Sequence, residues 1–136
     1  MSRRVVVTGV GLVCALGIGT DDVWKNLLVG TSGVRTITHF DAAAFDCTIA
    51  GEVRDFEPLH WAEKKELKKI ARFIQLALAS TDFAMRMSEL KITPDIAEVT
   101  GVYVASGIGG FDVIEREHSK LLHGGCLLYT SDAADE

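Results

Sequence analysis

The chain has few of the residues that build disulfide frameworks and metal sites. Three of its 136 residues are cysteines, and Cys14, Cys47 and Cys126 are odd in number and widely spaced. That pattern excludes a disulfide framework and a CxxC metal site, and it favours a reducing compartment. The four histidines have no histidine partner at the i,i+4 spacing of a helical metal site. We therefore predict no metal site.

Long apolar runs and an excess of positive charge are also missing. No stretch approaches the roughly 20 apolar residues that a membrane-spanning helix needs, so membrane insertion is not expected. The net charge of −5 argues against non-specific binding to nucleic acid, which depends on clustered lysine and arginine. Hydrophobic residues make up 48% of the chain and charged residues 24%, which is typical of one soluble globular domain.

The first residues superficially match a secretory signal, because Arg3 and Arg4 precede an apolar run over 5–18. Signal cores are helical, whereas every residue of Val5–Thr8 is β-branched. Glycines then interrupt the run at positions 9, 11, 17 and 19. We therefore favour a strand, and a signal peptide is the weaker alternative.

The chain is predicted to open with a β-α unit. It consists of a buried strand over Arg4–Thr8, a glycine turn and a helix over 22–29. The spacing Gly9-x-Gly11 also matches part of a dinucleotide fingerprint, but Cys14 occupies the position of its third glycine. A small nucleotide-binding module is therefore an alternative that only a partial motif supports.

The longest predicted element is a helix over Ala62–Leu90. Its first half is amphipathic and its second half is apolar nearly all round. We expect further protein, from a partner or from sequence outside this chain, to cover that second half. The first half carries a basic cluster of Lys64, Lys65, Lys68, Lys69 and Arg72. Such clusters are ordinarily solvated helix faces, and the functional alternative is a docking surface for an acidic partner.

The stretch Val99–Gly110 joins a second predicted buried strand, over Val102–Ala105, to the glycine loop Ser106–Gly110. The carboxyl end of a parallel strand is the usual place for a site in an open α/β sheet. A tight turn into the following helix, predicted over Phe111–His123, explains the same glycines equally well. One further short strand is predicted around Ile49–Val53.

Five stretches, in this order and spacing, carry a family resemblance. They are RRVVVTGVG at 3–11, FD at 40–41, AGEV with DF at 50–56, RFIQ at 72–75 and SGIGG at 106–110. Together they resemble the amino-terminal part of a β-ketoacyl-acyl-carrier-protein synthase of the elongating type (synthase II), a thiolase-like condensing enzyme. The resemblance runs from residue 1 to 125. It implies an α/β fold class, as an incomplete amino-terminal part of a layered α/β/α/β/α thiolase-like fold.

The resemblance implies acyl transfer chemistry in fatty-acid elongation. An acyl chain passes from the phosphopantetheine of acyl carrier protein to an active-site cysteine, and a decarboxylated malonyl group on a second carrier then attacks it. This needs a cysteine at a helix amino-terminus and two histidines. In the family all three lie beyond the part that this chain matches. The resemblance also implies a cytoplasmic homodimer and no cofactor other than the carrier's phosphopantetheine.

Two groups of residues acquire expected roles from the resemblance. Ile108 matches the residue that gates the acyl pocket, and Gly107 stands beside it as a substrate-binding residue; their ordinary role is loop packing. Lys65, Lys68 and Lys69 match basic positions implicated in docking the acidic carrier protein.

No cysteine of this chain is predicted to be the nucleophile. Cys126 lies close to His123 in sequence, but this closeness says little about geometry, and Cys126 has no strand before it and no helix after it. Cys14 and Cys47 match no catalytic position of the family. We therefore predict no catalytic residue here.

The resemblance stops abruptly after residue 125. We predict a partial synthase domain over 1–125 and a non-native tail over 126–136, so that the chain alone is inactive and poorly folded. A non-catalytic partner subunit, like the chain-length factors of polyketide systems, is the alternative from another class, because it shares the fold but lacks the cysteine.

Overall fold

The structure, a computed structural model, describes residues 3–124. Its helices are α1 (Thr20–Leu28), α2 (Lys64–Leu67), α3 (Arg72–Ser88), α4 (Pro94–Ala97) and α5 (Phe111–Gly124), with a 3₁₀ turn at Pro58–His60. Its strands are β1 (Val13–Cys14), β2 (Gly17–Ile18), β3 (Arg35–Thr36) and β4 (Ile49–Ala50). The strands form two antiparallel pairs, β1 with β2 and β3 with β4. None of the helices in this range is long and apolar enough to cross a membrane.

Helix α1 is held against the β1–β2 hairpin by side chains at its start and middle. It begins directly after Gly19, whose φ of 103° favours glycine. The hydroxyl of Thr20 donates to the carbonyl of Val10 at 3.0 Å, and Asn26 Nδ2 donates to the carbonyl of Leu16 at 2.7 Å. Val23, in the helix itself, is its buried residue. The helix predicted over 22–29 is therefore confirmed, with a start two residues earlier.

Helix α3 is the element against which the amino-terminal segment around Gly9 and Gly11 packs. Ala79, in its middle, is fully buried. A Cβ atom added to Gly11 would collide with the carbonyl oxygen of Ser80, and one added to Gly9 would collide with that of Ala84. The backbone of this segment therefore lies directly on the helix. In a dinucleotide fingerprint these glycines would face phosphate at a helix amino-terminus, so this packing disfavours the nucleotide-binding alternative.

The prediction of one continuous helix over 62–90 is wrong. Helix α2 ends at Leu67, the backbone is extended at Ala71 with ψ of 160°, and α3 begins afterwards. Trp61 Nε1 donates a hydrogen bond to Asp82 Oδ2 at 3.1 Å. A straight helix would separate these two residues by about 31 Å. The chain therefore breaks because this contact, between distant parts of the sequence, folds the first half back on the second.

The predicted strands over 4–8 and 102–105 are also wrong. Neither segment has regular structure, and Val5 and Tyr103 are each 93% exposed. A strand needs a hydrogen-bonding neighbour, and the only ladders within residues 3–124 are the two short pairs above. The parallel sheet edge expected before the glycine loop is therefore not formed. The strand predicted over 49–53 shrinks to β4, whose partner β3 was not predicted.

The β3–β4 pair is fastened by the side chain of Glu52, which is only 6% exposed. Its carboxylate accepts hydrogen bonds from the backbone N–H of Thr38 at 2.9 Å, from the Thr38 hydroxyl at 2.8 Å and from the N–H of His39 at 3.1 Å. It also pairs with Arg54 at 3.1 Å. These donors, the backbone N–H of Thr38 first, lower the pKa of Glu52 to about 2.

Replacing Gly11 by alanine tests the close approach to α3. The new methyl group would meet the carbonyl of Ser80, so we expect Gly11→Ala to lower the free energy of unfolding by about 1–3 kcal/mol, as overpacking does. The control is Gly101→Ala, because nothing lies within 4 Å of a Cβ at that glycine. Urea denaturation followed by circular dichroism measures both. Equal stabilities of the two variants would contradict the packing described here.

Replacing Glu52 by glutamine is expected to remove a pH-dependent stabilisation. The pKa of Glu52 in the folded chain, about 2, lies below its ordinary value of 4.5. The ionised carboxylate therefore stabilises the fold above about pH 4.5, and this stabilisation is lost as the pH falls towards about 2. We expect the difference in free energy of unfolding between the wild-type chain and Glu52→Gln to shrink over that interval.

The control for this titration is Glu115→Gln, which alters an exposed carboxylate on α5. Urea denaturation at a series of pH values provides the measurement for both variants. A difference between the wild-type chain and Glu52→Gln that stays constant across the interval would show that the carboxylate does not act through its ionised form.

Candidate functional site

The glycine loop Ser106–Gly110 is built as a turn that seats α5 on the start of α3. The backbone N–H of Gly109 donates to the hydroxyl oxygen of Ser106 at 3.0 Å, and its φ of 83° favours glycine. A Cβ atom on Gly110 would lie 2.5 Å from the Cβ of Ala71. The loop therefore approaches Ala71, the residue immediately before α3, so closely that only a glycine fits at position 110.

The two predicted pocket residues lie on the outer side of this turn. Ile108 is 74% exposed. Nothing lies within 4 Å of a Cβ placed on Gly107. Their expected role as residues of an acyl pocket stays a prediction, since the side chains that the structure describes do not enclose them.

The basic cluster divides into four solvent-facing lysines and one structural arginine. We call Lys64–Lys69, which comprises α2 and the turn after it, the basic segment. All four of its lysines are exposed, and among residues 3–124 no carboxylate lies within 4.0 Å of their amino groups. Arg72 is instead half-buried and donates to the carbonyl of Val53 at 3.3 Å.

The four ammonium groups of the basic segment, within six residues, produce a local positive field on a chain whose net charge is −5. Such a field attracts an acidic partner over about 10 Å at 0.1 M salt. The structure brings the basic segment and the glycine loop to the same end of α3. Gly110 packs on Ala71, and a Cβ atom placed on Gly109 would lie 3.8 Å from Cε1 of Phe73. The two predicted sites are therefore neighbours.

Two aromatic residues that precede the basic segment were not predicted to belong to the site. The rings of Phe56 and Trp61 are stacked, with centroids 5.0 Å apart and planes 6° apart. The guanidinium of Arg72 lies 4.6 Å from the centroid of Phe56. Asp55 has a positive φ of 57° and turns the backbone just before that ring. The position of Phe56 and Trp61, five residues apart and shortly before the lysines, was the available signal in the sequence.

The described cysteines show no catalytic pairing. Cys47 Sγ lies 3.4 Å from the carbonyl of Ile49 rather than beside a histidine. Cys14 lines a polar cavity of about 140 Å³ together with Arg35 and Arg54. No group of three potential metal ligands occurs in the part of the chain that the structure covers. Cys126, with the predicted tail over 126–136, lies outside the described residues.

Comparison with known proteins identifies the class first. The chain is similar to a solved structure titled "The ishigamide ketosynthase/chain length factor", with a TM-score of 0.72 and 31% identity over 90% of this chain and 30% of that one. The fold is therefore that of a thiolase-like ketosynthase, as an incomplete α/β part of it. Residues 2–130 match the family model described as "Beta-ketoacyl synthase, N-terminal domain". The chain belongs to the beta-ketoacyl synthase family.

Full-length relatives carry a more specific name. Proteins named 3-oxoacyl-[acyl-carrier-protein] synthase 2 from Coxiella burnetii, Vibrio harveyi and Synechocystis are 45%, 44% and 37% identical to this chain over 123 residues. Each match covers 90% of this chain and 30% of the relative. The chain thus spans about 30% of the length of these relatives. The resemblance to synthase II and the predicted fold class are confirmed; the boundary predicted after residue 125 stays a prediction.

Proposed function

We propose that this chain is the amino-terminal part of a 3-oxoacyl-[acyl-carrier-protein] synthase that elongates fatty acids by condensing a malonyl-carrier with an acyl-enzyme thioester. The match of residues 2–130 to the amino-terminal domain of the family carries this proposal. The full-length protein is proposed to be a cytoplasmic homodimer whose only prosthetic group, phosphopantetheine, arrives on the carrier.

The chain contributes binding surfaces to this reaction rather than reacting groups. The nucleophilic cysteine and the two histidines are proposed to come from sequence that follows the matched part. In favour of this division, Cys14 and Cys47 lie in the hairpin and in a loop, and neither follows a buried strand into a helix amino-terminus where the dipole would lower the pKa of a thiol. The chain alone is therefore proposed to be inactive.

The basic segment is proposed to dock acyl carrier protein through Lys65, Lys68 and Lys69. Their exposure supports this, as does the absence among residues 3–124 of any ion pair within 4.0 Å to their amino groups, although Glu66 lies in the same segment. The position of the glycine loop supports it as well, since a carrier bound at the segment would stand beside Gly107 and Ile108. Those two residues are proposed to contact the acyl chain as it is delivered.

A chain-length-factor-like subunit is the second candidate, and the ketosynthase/chain length factor among the similar structures favours keeping it. Both candidates share the fold of this part of the chain. They differ in the downstream cysteine, which a condensing enzyme needs and a non-catalytic subunit lacks. The DNA sequence beyond the codon for residue 125 separates them directly.

The proposed reaction is tested with the full-length gene product, purified and mixed with malonyl-carrier and an acyl-carrier. We expect β-ketoacyl-carrier to accumulate, detected by mass spectrometry of the carrier. The present chain, assayed in parallel, is expected to form no product. A full-length protein without condensing activity but with the cysteine in place would contradict the proposed function.

Charge reversal tests the docking surface. The triple variant Lys65→Glu, Lys68→Glu and Lys69→Glu in the full-length protein should bind acyl carrier protein roughly tenfold or more weakly at low salt, because attraction becomes repulsion. Its affinity should also depend less on salt. Lys91→Glu, an exposed lysine after α3, is the control. Calorimetric affinities that are equal for the triple variant and the control would disprove docking at this segment.

A further inference from the structure

The loop over 62–71, which contains the basic segment, is attached at both ends to one aromatic ring. At the amino-terminal side, Trp61 stacks on Phe56 with the ring centroids 5.0 Å apart. At the carboxyl-terminal side, the guanidinium carbon of Arg72 lies 4.6 Å from the centroid of the same ring. Phe56 is only 8% exposed and is one of the few buried large side chains among the described residues. The loop over 62–71 therefore starts and ends at the same point of the core.

Each end has a second contact that fixes its direction. The indole nitrogen of Trp61 donates to Asp82 Oδ2 at 3.1 Å, and its ring meets that of Phe83 edge-on at 6.0 Å. Arg72 donates to the carbonyl of Val53 at 3.3 Å. The first end is thus tied to the middle of α3, and the second, which is the first residue of α3, is tied to the segment after β4. Neither end can rotate about the ring of Phe56 without breaking a hydrogen bond.

The loop between these ends has little structure of its own to hold its lysines in place. Helix α2 is a single turn of four residues, and an isolated helical turn is not stable in water. Leu67 and Ile70 are half-buried and Ala71 is buried, whereas the four lysines face solvent. Within the loop, the carbonyl of Ile70 also accepts a hydrogen bond from Gln75 Nε2 at 3.4 Å. The arrangement of the lysines therefore depends on this contact and on where the two ends are anchored.

We propose that Phe56 is a positioning residue for carrier docking, which fixes the basic segment so that its lysines are arranged before the carrier arrives. This inference rests on the proposed docking function. Anchoring both ends reduces the conformational freedom that the segment would otherwise lose on binding, and such preorganisation increases affinity without adding a contact. Phe56 itself lies beneath the surface and does not touch the partner.

Phe56→Leu in the full-length protein is the decisive variant, because it removes the ring and keeps an apolar side chain. We expect hydrogen exchange of the amides of 64–69 to become faster, measured by mass spectrometry. We also expect the Kd for acyl carrier protein to rise about three- to tenfold, in line with the loss of aromatic pairing. The dependence of Kd on salt should stay unchanged, since every charge is retained.

Two further variants make the readout specific. Phe56→Tyr retains a ring and should restore slow exchange and wild-type affinity. Phe45→Leu removes a different aromatic ring, 61% exposed and paired edge-on with Phe40, and should change neither quantity. If Phe56→Leu fails to fold, Trp61→Phe is used instead, because it keeps an aromatic ring against Phe56 but removes the hydrogen bond to Asp82 and part of the stacked surface. It should likewise speed exchange at 64–69 and weaken binding.

The outcomes distinguish this inference from the proposed function. Faster exchange and weaker binding in Phe56→Leu, together with loss of binding on lysine reversal, support positioning. Two results in Phe56→Leu would overturn positioning: unchanged exchange of the amides of 64–69, or faster exchange with wild-type affinity for the carrier. If lysine reversal still weakens binding in either case, docking at the segment stands. If lysine reversal has no effect, docking at the segment fails, and positioning fails with it.

Discussion

The structure depends on how closely other segments can approach α3. The backbone around Gly9 and Gly11 lies against the carbonyls of the helix, and Gly110 lies against Ala71 at its start. Any side chain at these three positions would hold the segments apart. Because large side chains are scarce in the interior of the described part, the stability of the fold comes from these backbone contacts and from small residues such as Ala79, which is fully buried.

Local sequence signals predicted the helices better than the strands. The limits of α1 and α5 were recovered to within two residues, because acidic residues in the first turn and apolar periodicity act within a few positions. The segments 4–8 and 102–105 have strong β propensity, yet a strand forms only with a neighbour. The break between α2 and α3 depends on a contact between Trp61 and Asp82, which are distant in sequence. The periodicity of apolar residues carries no information about strand partners or about contacts between residues distant in sequence.

The candidate site was predictable in part for the same reason. Exposed lysines and a glycine loop are visible as local patterns, and the resemblance to the family gave them roles. The separation of Arg72 from the lysines was not visible, because it depends on the ring of Phe56 and on the carbonyl of Val53. The meeting of loop and basic segment at the start of α3 is likewise a property of the packed chain.

Docking of the carrier at the basic segment is tested by zero-length cross-linking between carboxylates of acyl carrier protein and lysines of the full-length protein. If the basic segment docks the carrier, cross-links are expected to concentrate at Lys65, Lys68 and Lys69, identified by mass spectrometry of the digested complex. Lys25, Lys91 and Lys120 supply internal references, since they lie outside the basic segment. Cross-links concentrated at Lys25, Lys91 and Lys120, with none in the basic segment, would contradict docking at that segment.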